Sequence, residues 1–144
     1  IARKRRRAGA LRESLRALGT LYVPDRLYAV RLAAKKLLYC LEVERSLPRV
    51  AVSRDLQTLE SIQEHLGLLH DLQMLQSRLR STAKEAGVSR SALVHLHRMG
   101  KDVETECRGL HAAVIAKTPR WDGMADRIMG DAVKAALITP QQLS

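Results

Sequence analysis

Four runs of leucine and other aliphatic residues recur along this chain at intervals of three and four, a spacing that suits the ~3.6-residue turn of an amphipathic helix and no strand. Leu11, Leu15 and Leu18 make the first run, within a helix expected over residues 2–18 and stopped by Gly19. A short extended link from Thr20 to Pro24 follows, and Asp25 is placed to cap a second helix carrying Leu27, Val30, Ala34, Leu37 and Leu41, ended near Ser46 by Leu47 and Pro48. Ser53 can cap a third helix reaching about residue 86, whose stripe of Leu56, Leu59, Ile62, Leu66, Leu69, Leu72, Leu75 and Leu79 recurs faster than a straight helix turns. Such a stripe drifts, which predicts a curved helix or a bend near Gly67. Beyond Gly87, Ser89 or Ser91 opens a fourth helix with Leu93, Leu96, Val103, Cys107, Leu110 and Val114 in a heptad-like seam. Thr118, Pro119 and Gly123 then predict a break, with a last short helix over about residues 124–137 before Pro140.

Sparse Gly (8) and Pro (4) in 144 residues agree with long helices, and the length suits one domain over residues 1–144. The expected fold is all-α: an up-and-down four-helix bundle with long helices and a short C-terminal helix.

Charge is distributed unevenly over those helices. The formal net charge is +10, and residues 1–45 hold 12 Lys/Arg against 4 Asp/Glu, a net +8, whereas residues 46–144 hold 13 against 11. A surface that repels itself at this density gains free energy when an anion neutralises it and counterions are released, so an anionic partner is favoured over a neutral one. On the second helix Tyr28, Arg31, Lys35 and Tyr39 fall within one narrow sector, away from the leucine seam. On the first, Arg5, Arg12 and Arg16 recur at i, i+7 and i+11, so two neighbouring helices could line one basic groove. Arginine forks engage phosphate oxygens bidentately and lysine adds point charge, which suits a flexible phosphate chain. The plainer alternative is a solvated helix face on which Arg31 pairs with an acid such as Glu42.

The run LYAVRLAAKKLLYCLE, residues 27–42, resembles the signature of the CHAD domain, whose pattern there is roughly H-x-x-R-x-x-x-K-[RK]-L-R-Y-x-L-E. Leu66, Gly67, Asp71 and Leu75 resemble that family's later L-G-x-x-x-D-x-x-x-L segment, and Leu21-Tyr22-Val23-Pro24 is similar to its approach to the helix. The resemblance covers about residues 20–80. It implies a helical bundle built of two similar halves whose basic surface binds inorganic polyphosphate, with anion-binding roles for Arg31, Lys35 and Lys36 and more structural ones for Tyr39 and Asp71. Tyr28 stands at the family's histidine and Leu38 at its usual arginine, both of which remove cationic capacity. This chain holds one of the two expected halves, so it is either a fragment (the C-terminal half of a full module) or a unit that associates as a homodimer.

Other chemistries find little support. His65 and His70 are five apart and His95 and His97 two apart, so no histidine pair has metal-ligand spacing. His97, Lys101, Arg108 and His111 read as an exposed, mixed-charge stripe, and His70 beside Asp71 as a packing or capping residue. Cys40 and Cys107 lie inside apolar runs, without CxxC spacing, which fits a reduced cytoplasmic setting. No P-loop, nucleophile elbow or H-E-x-x-H motif occurs, so neither catalysis, a cofactor nor a metal is expected. No apolar run approaches the roughly 20 residues of a membrane span. The expected function is binding of inorganic polyphosphate, or another polyanion, by Arg5, Arg12, Arg16, Tyr28, Arg31, Lys35, Lys36 and Tyr39. Nucleic acid is the weaker partner, because one Trp, three Tyr and no Phe offer little for base stacking; a structural or scaffolding domain is the third reading.

Overall fold

The computed structural model describes residues 2–46 and 53–138, and they form four helices: α1 (Ala2–Leu18), α2 (Pro24–Arg45), α3 (Ser53–Ala83) and α4 (Arg90–Ile138). Each helix packs against its neighbour in sequence and α1 closes the ring against α4, so the cross-section is a square with no diagonal contact among the described residues. The all-α bundle is therefore the fold. The leucine seams supply its core: Leu11, Leu15 and Leu18 of α1, Val30, Leu37 and Leu41 of α2, and Leu59, Ile62 and Leu69 of α3 are all essentially inaccessible.

Local signals explain most of the helix ends. Gly19 adopts φ 62°, a left-handed conformation that other residues resist, and it ends α1 as its position suggested. α2 starts two residues earlier than the Asp25 cap implied. Extended Val23 precedes it, Pro24 takes the first helical position with its φ already set, and Asp25 sits in the first turn, where its charge favours the helix dipole. The Ser89 hydroxyl accepts the Ala92 amide at 3.1 Å and so caps α4. α3 ends at Ala83 and is unbroken at Gly67. The expected stops at Leu47 and Pro48 and the Pro140 tail lie outside the described residues.

The expected break at Thr118, Pro119 and Gly123 does not occur: α4 is one 49-residue helix with Pro119 inside it, so the short C-terminal helix is the continuation of α4. Its seam shows why. Val103, Cys107, Leu110 and Val114 lead in steps of three and four to Thr118, Trp121, Ala125 and Ile128, one stripe in constant phase. A proline inside a helix costs about 3 kcal/mol, whereas each fully buried large apolar side chain returns about 1.5–3 kcal/mol. Trp121, Met124 and Ile128 are all buried, so continuing the helix wins. Pro119 itself lies on the exposed side, and the Thr118 hydroxyl donates to the Val114 carbonyl at 2.9 Å.

At ~1.5 Å per residue, α4 is roughly 73 Å long and α2 roughly 33 Å, so α3 and α4 run on past the α1–α2 corner as a two-helix arm. Tyr22 marks that corner. Its hydroxyl accepts a hydrogen bond from the Gln73 carboxamide, and its ring meets His111 edge-on at 5.1 Å. His111 is thus not on an exposed stripe with His97 and Lys101: it is half-buried, and its Nε2 is enclosed without a hydrogen-bond partner among the described residues. Burial pushes the imidazole below its ordinary range, against a smaller opposing pull from the Leu21 backbone. As pH falls below about 6.5, the unfolded chain takes up that proton first, so the stability held above this pH is lost on acidification. Urea unfolding of wild type and His111→Gln from pH 7.5 to 5 should show a shallower acid loss in the variant; parallel curves would be the contrary result.

Candidate anion-binding surfaces

Because α1 buries only a narrow strip (Ala8, Leu11, Leu15 and Leu18), both of its flanks reach the surface, and both are basic. One flank faces α4. There Gly9 faces the α4 side chain Met129, and Arg12 bonds Asp126 at 2.6 Å while Arg16 bonds Asp122 at 3.1 Å. Arg5 lies exposed on the same flank. The i, i+4 spacing of the two arginines is matched by the i, i+4 spacing of the two aspartates, so this row is largely neutralised by α4.

The other flank faces α2 and makes a groove of about 440 Å³ lined by Arg3, Lys4, Arg7, Lys36, Tyr39, Cys40, Val43 and Glu44. Four cations meet one carboxylate there. Lys4 holds that carboxylate, bonding Glu44 at 2.9 Å in a partly buried pair that also ties the start of α1 to the end of α2. Arg3, Arg7 and Lys36 form no ion pair among the described residues. Lys35 lies 5.8 Å from the centre of the Tyr39 ring, so it flanks the groove through a cation–π contact. Tyr39 is 54% exposed, which leaves its hydroxyl free to donate.

Arg31 and Tyr28 sit elsewhere, in a shallow notch between α2 and α3 with His70 and Gln73. Tyr28 tilts against His70 with ring centres 6.3 Å apart, and the Arg31 carbonyl accepts the Gln63 carboxamide at 2.8 Å. Arg31 makes no ion pair with Glu42 or with any other described acid. The eight expected residues therefore do not share one trough. Lys36 and Tyr39 line the α1–α2 groove with Lys35 beside it; Arg12, Arg16 and Arg5 lie on the α4 side; Arg31 and Tyr28 lie on the α3 side. The residues that sequence reasoning missed are Arg3, Lys4 and Arg7. Their i, i+1, i+4 spacing was visible, but which flank of α1 faces α2 depends on the handedness of the bundle.

Among the described residues no cluster of three or more His, Cys, Asp or Glu could hold a metal ion, and no helix is long and apolar enough to cross a membrane. Burial pushes the Cys107 thiol up, away from reactivity, in the same corner as Tyr22 and His111.

A square bundle with cations gathered along α1 and α2 defines a basic helical-bundle protein with a cation-lined groove. The sequence model of the CHAD domain matches residues 2–80, more than half of the chain, and the protein belongs to the CHAD domain family. The match takes in α1 as well as the α2 and α3 motifs. No curated protein and no solved structure is significantly similar to the chain.

The α4 acids act as a local neutraliser. Replacing both, Asp122→Asn with Asp126→Asn, should cost less than about 1 kcal/mol per exposed pair in urea unfolding, and should delay elution from a cation-exchange column. Unchanged elution would show that Arg12 and Arg16 are already open to solvent anions.

Proposed function

We propose that this protein binds inorganic polyphosphate, without catalysis, along the α1–α2 groove. The observation that carries the reading is the excess of cations there: among the described residues Arg3, Arg7 and Lys36 stand without carboxylate partners around a groove whose one lining acid, Glu44, is held by Lys4. The CHAD family is associated with polyphosphate, and an open groove of arginine and lysine suits a flexible chain of identical anions better than a shaped metabolite. Lys35 and Tyr39 extend the track, and Arg31, one flank away on α2, can meet a longer chain that crosses the helix. Arg5, Arg12 and Arg16 contribute long-range field more than contacts, since two of them are engaged by α4. A cytoplasmic setting, with its phosphate pools, fits this role.

Arg3→Gln, Arg7→Gln, Lys36→Gln should weaken long-chain polyphosphate binding at least tenfold and flatten its dependence on salt, because fewer counterions are released. Arg12→Gln with Arg16→Gln should have a clearly smaller effect. Equal losses in the two variants, or preferential binding of duplex DNA at equal phosphate concentration, would overturn the assignment.

A second proposal concerns association. The arm beyond the α1–α2 corner exposes Met74, Leu75, Leu93, Val94 and Met99, and a cleft of about 620 Å³ opens between its helices. Solvent-facing apolar side chains at this density mark a contact surface, and we propose that a second helical half, supplied by another copy of the chain, covers them. Light scattering should give a dimer mass that Leu93→Glu, Val94→Lys reduces to monomer; a monomeric wild type at high concentration would refute it.

A further inference from the structure

The α3–α4 face, across the bundle from the α1–α2 groove, carries a second cationic cleft. Arg54, Gln57, Thr58 and Ser61 reach it from the first turns of α3, and Lys117, Arg120 and Trp121 from α4; together they enclose about 260 Å³. Among the described residues three cations line it and no carboxylate does. Of the acids next to these residues in sequence, buried Asp55 is held by Arg127 and Asp122 by Arg16, while exposed Glu60, beside Ser61, does not line the cleft. Arg54, Lys117 and Arg120 form no ion pair among the described residues.

Lys117 is positioned by a neutral acceptor instead. Its Nζ lies 2.9 Å from His65 Nε2, while His65 Nδ1 lies 2.7 Å from the Ser61 carbonyl oxygen. A carbonyl oxygen can only accept, so Nδ1 carries the proton and Nε2 presents its lone pair to the ammonium. The histidine thereby fixes the direction of Lys117 without cancelling its charge. A carboxylate in that place would have done both. The Thr58 hydroxyl is spent on the Arg54 carbonyl at 3.1 Å, which leaves two guanidinium groups, one ammonium, the Gln57 carboxamide and the Ser61 hydroxyl facing the cleft as donors.

We propose that this cleft is a discrete site for one phosphate or pyrophosphate group, either a free anion or the terminus of a polyphosphate chain. Its volume falls below the roughly 300–1,000 Å³ of sites for drug-sized ligands, so a nucleotide does not fit beside the phosphates. The open α1–α2 groove suits the interior of a polymer; this compact, donor-rich cleft suits an end group, which carries more charge per phosphorus than an interior unit. The assignment stands on its own residues, independent of the α1–α2 reading.

Trp121 is the chain's single tryptophan and lines this cleft, so its fluorescence reports on this face and not on the other. Titrating the full chain with pyrophosphate at constant ionic strength should give a saturable change in emission. Arg54→Gln with Arg120→Gln, both exposed positions, should weaken that response at least tenfold, as should Lys117→Gln where circular dichroism shows it folded. Arg3→Gln, Arg7→Gln, Lys36→Gln should leave it intact even while long-chain polyphosphate binding falls. Polyphosphate competing in proportion to its chain ends would identify the terminus as occupant, whereas competition by orthophosphate and pyrophosphate alone would identify the free anion. No saturable response, an equal response to sulfate, or an unchanged response in Arg54→Gln, Arg120→Gln would overturn the site.

Discussion

Everything about the placement of charge follows from how little of α1 is buried. Four small or aliphatic side chains, Ala8, Leu11, Leu15 and Leu18, anchor this helix between α2 and α4, and the remaining positions are left for arginine and lysine. A wider apolar face would have bound α1 more tightly but displaced the cations from one of its borders. Instead one border is matched to aspartates on α4 and the other is left with a single glutamate on α2. The same helix is thus held in place by one set of arginines and charged by another.

The fold was legible because its signal is redundant: each helix carries at least three core residues in phase, and a glycine or a serine marks several of the ends. The largest misreading, at Thr118 and Pro119, came from weighing a local breaker above the seam around it. Trp121, Ala125 and Ile128 keep the phase set by Val103, Cys107 and Val114, and three buried side chains outweigh one missing amide. His111 was misjudged for a related reason. Its spacing places it beside exposed Lys101 and Arg108, and only the chain passing over it at Tyr22 encloses it.

The candidate site was legible in part. Lys36 and Tyr39 were reachable from the α2 pattern, as was Lys35, but their α1 neighbours were drawn from the wrong border. Amphipathic spacing defines where a helix points inward and says nothing of which side meets which neighbour. The aspartates of α4 held the missing information, since the i, i+4 pair Asp122 and Asp126 complements Arg12 and Arg16 and so assigns that border to α4. The α3–α4 cleft gave no comparable sequence signal, because Arg54 and Arg120 lie far apart in the chain and each is unremarkable alone.

The unbroken α4 also fixes distances. Its residues 90–106 belong to the projecting arm and its residues 117–129 to the bundle, with no joint of loop or turn between them. A molecule seated at the tip of the arm is therefore held at a set height and a set rotation from Lys117 and Arg120, as marks on one ruler are. Whatever meets the arm meets the rest of the protein at a spacing written into a single helix.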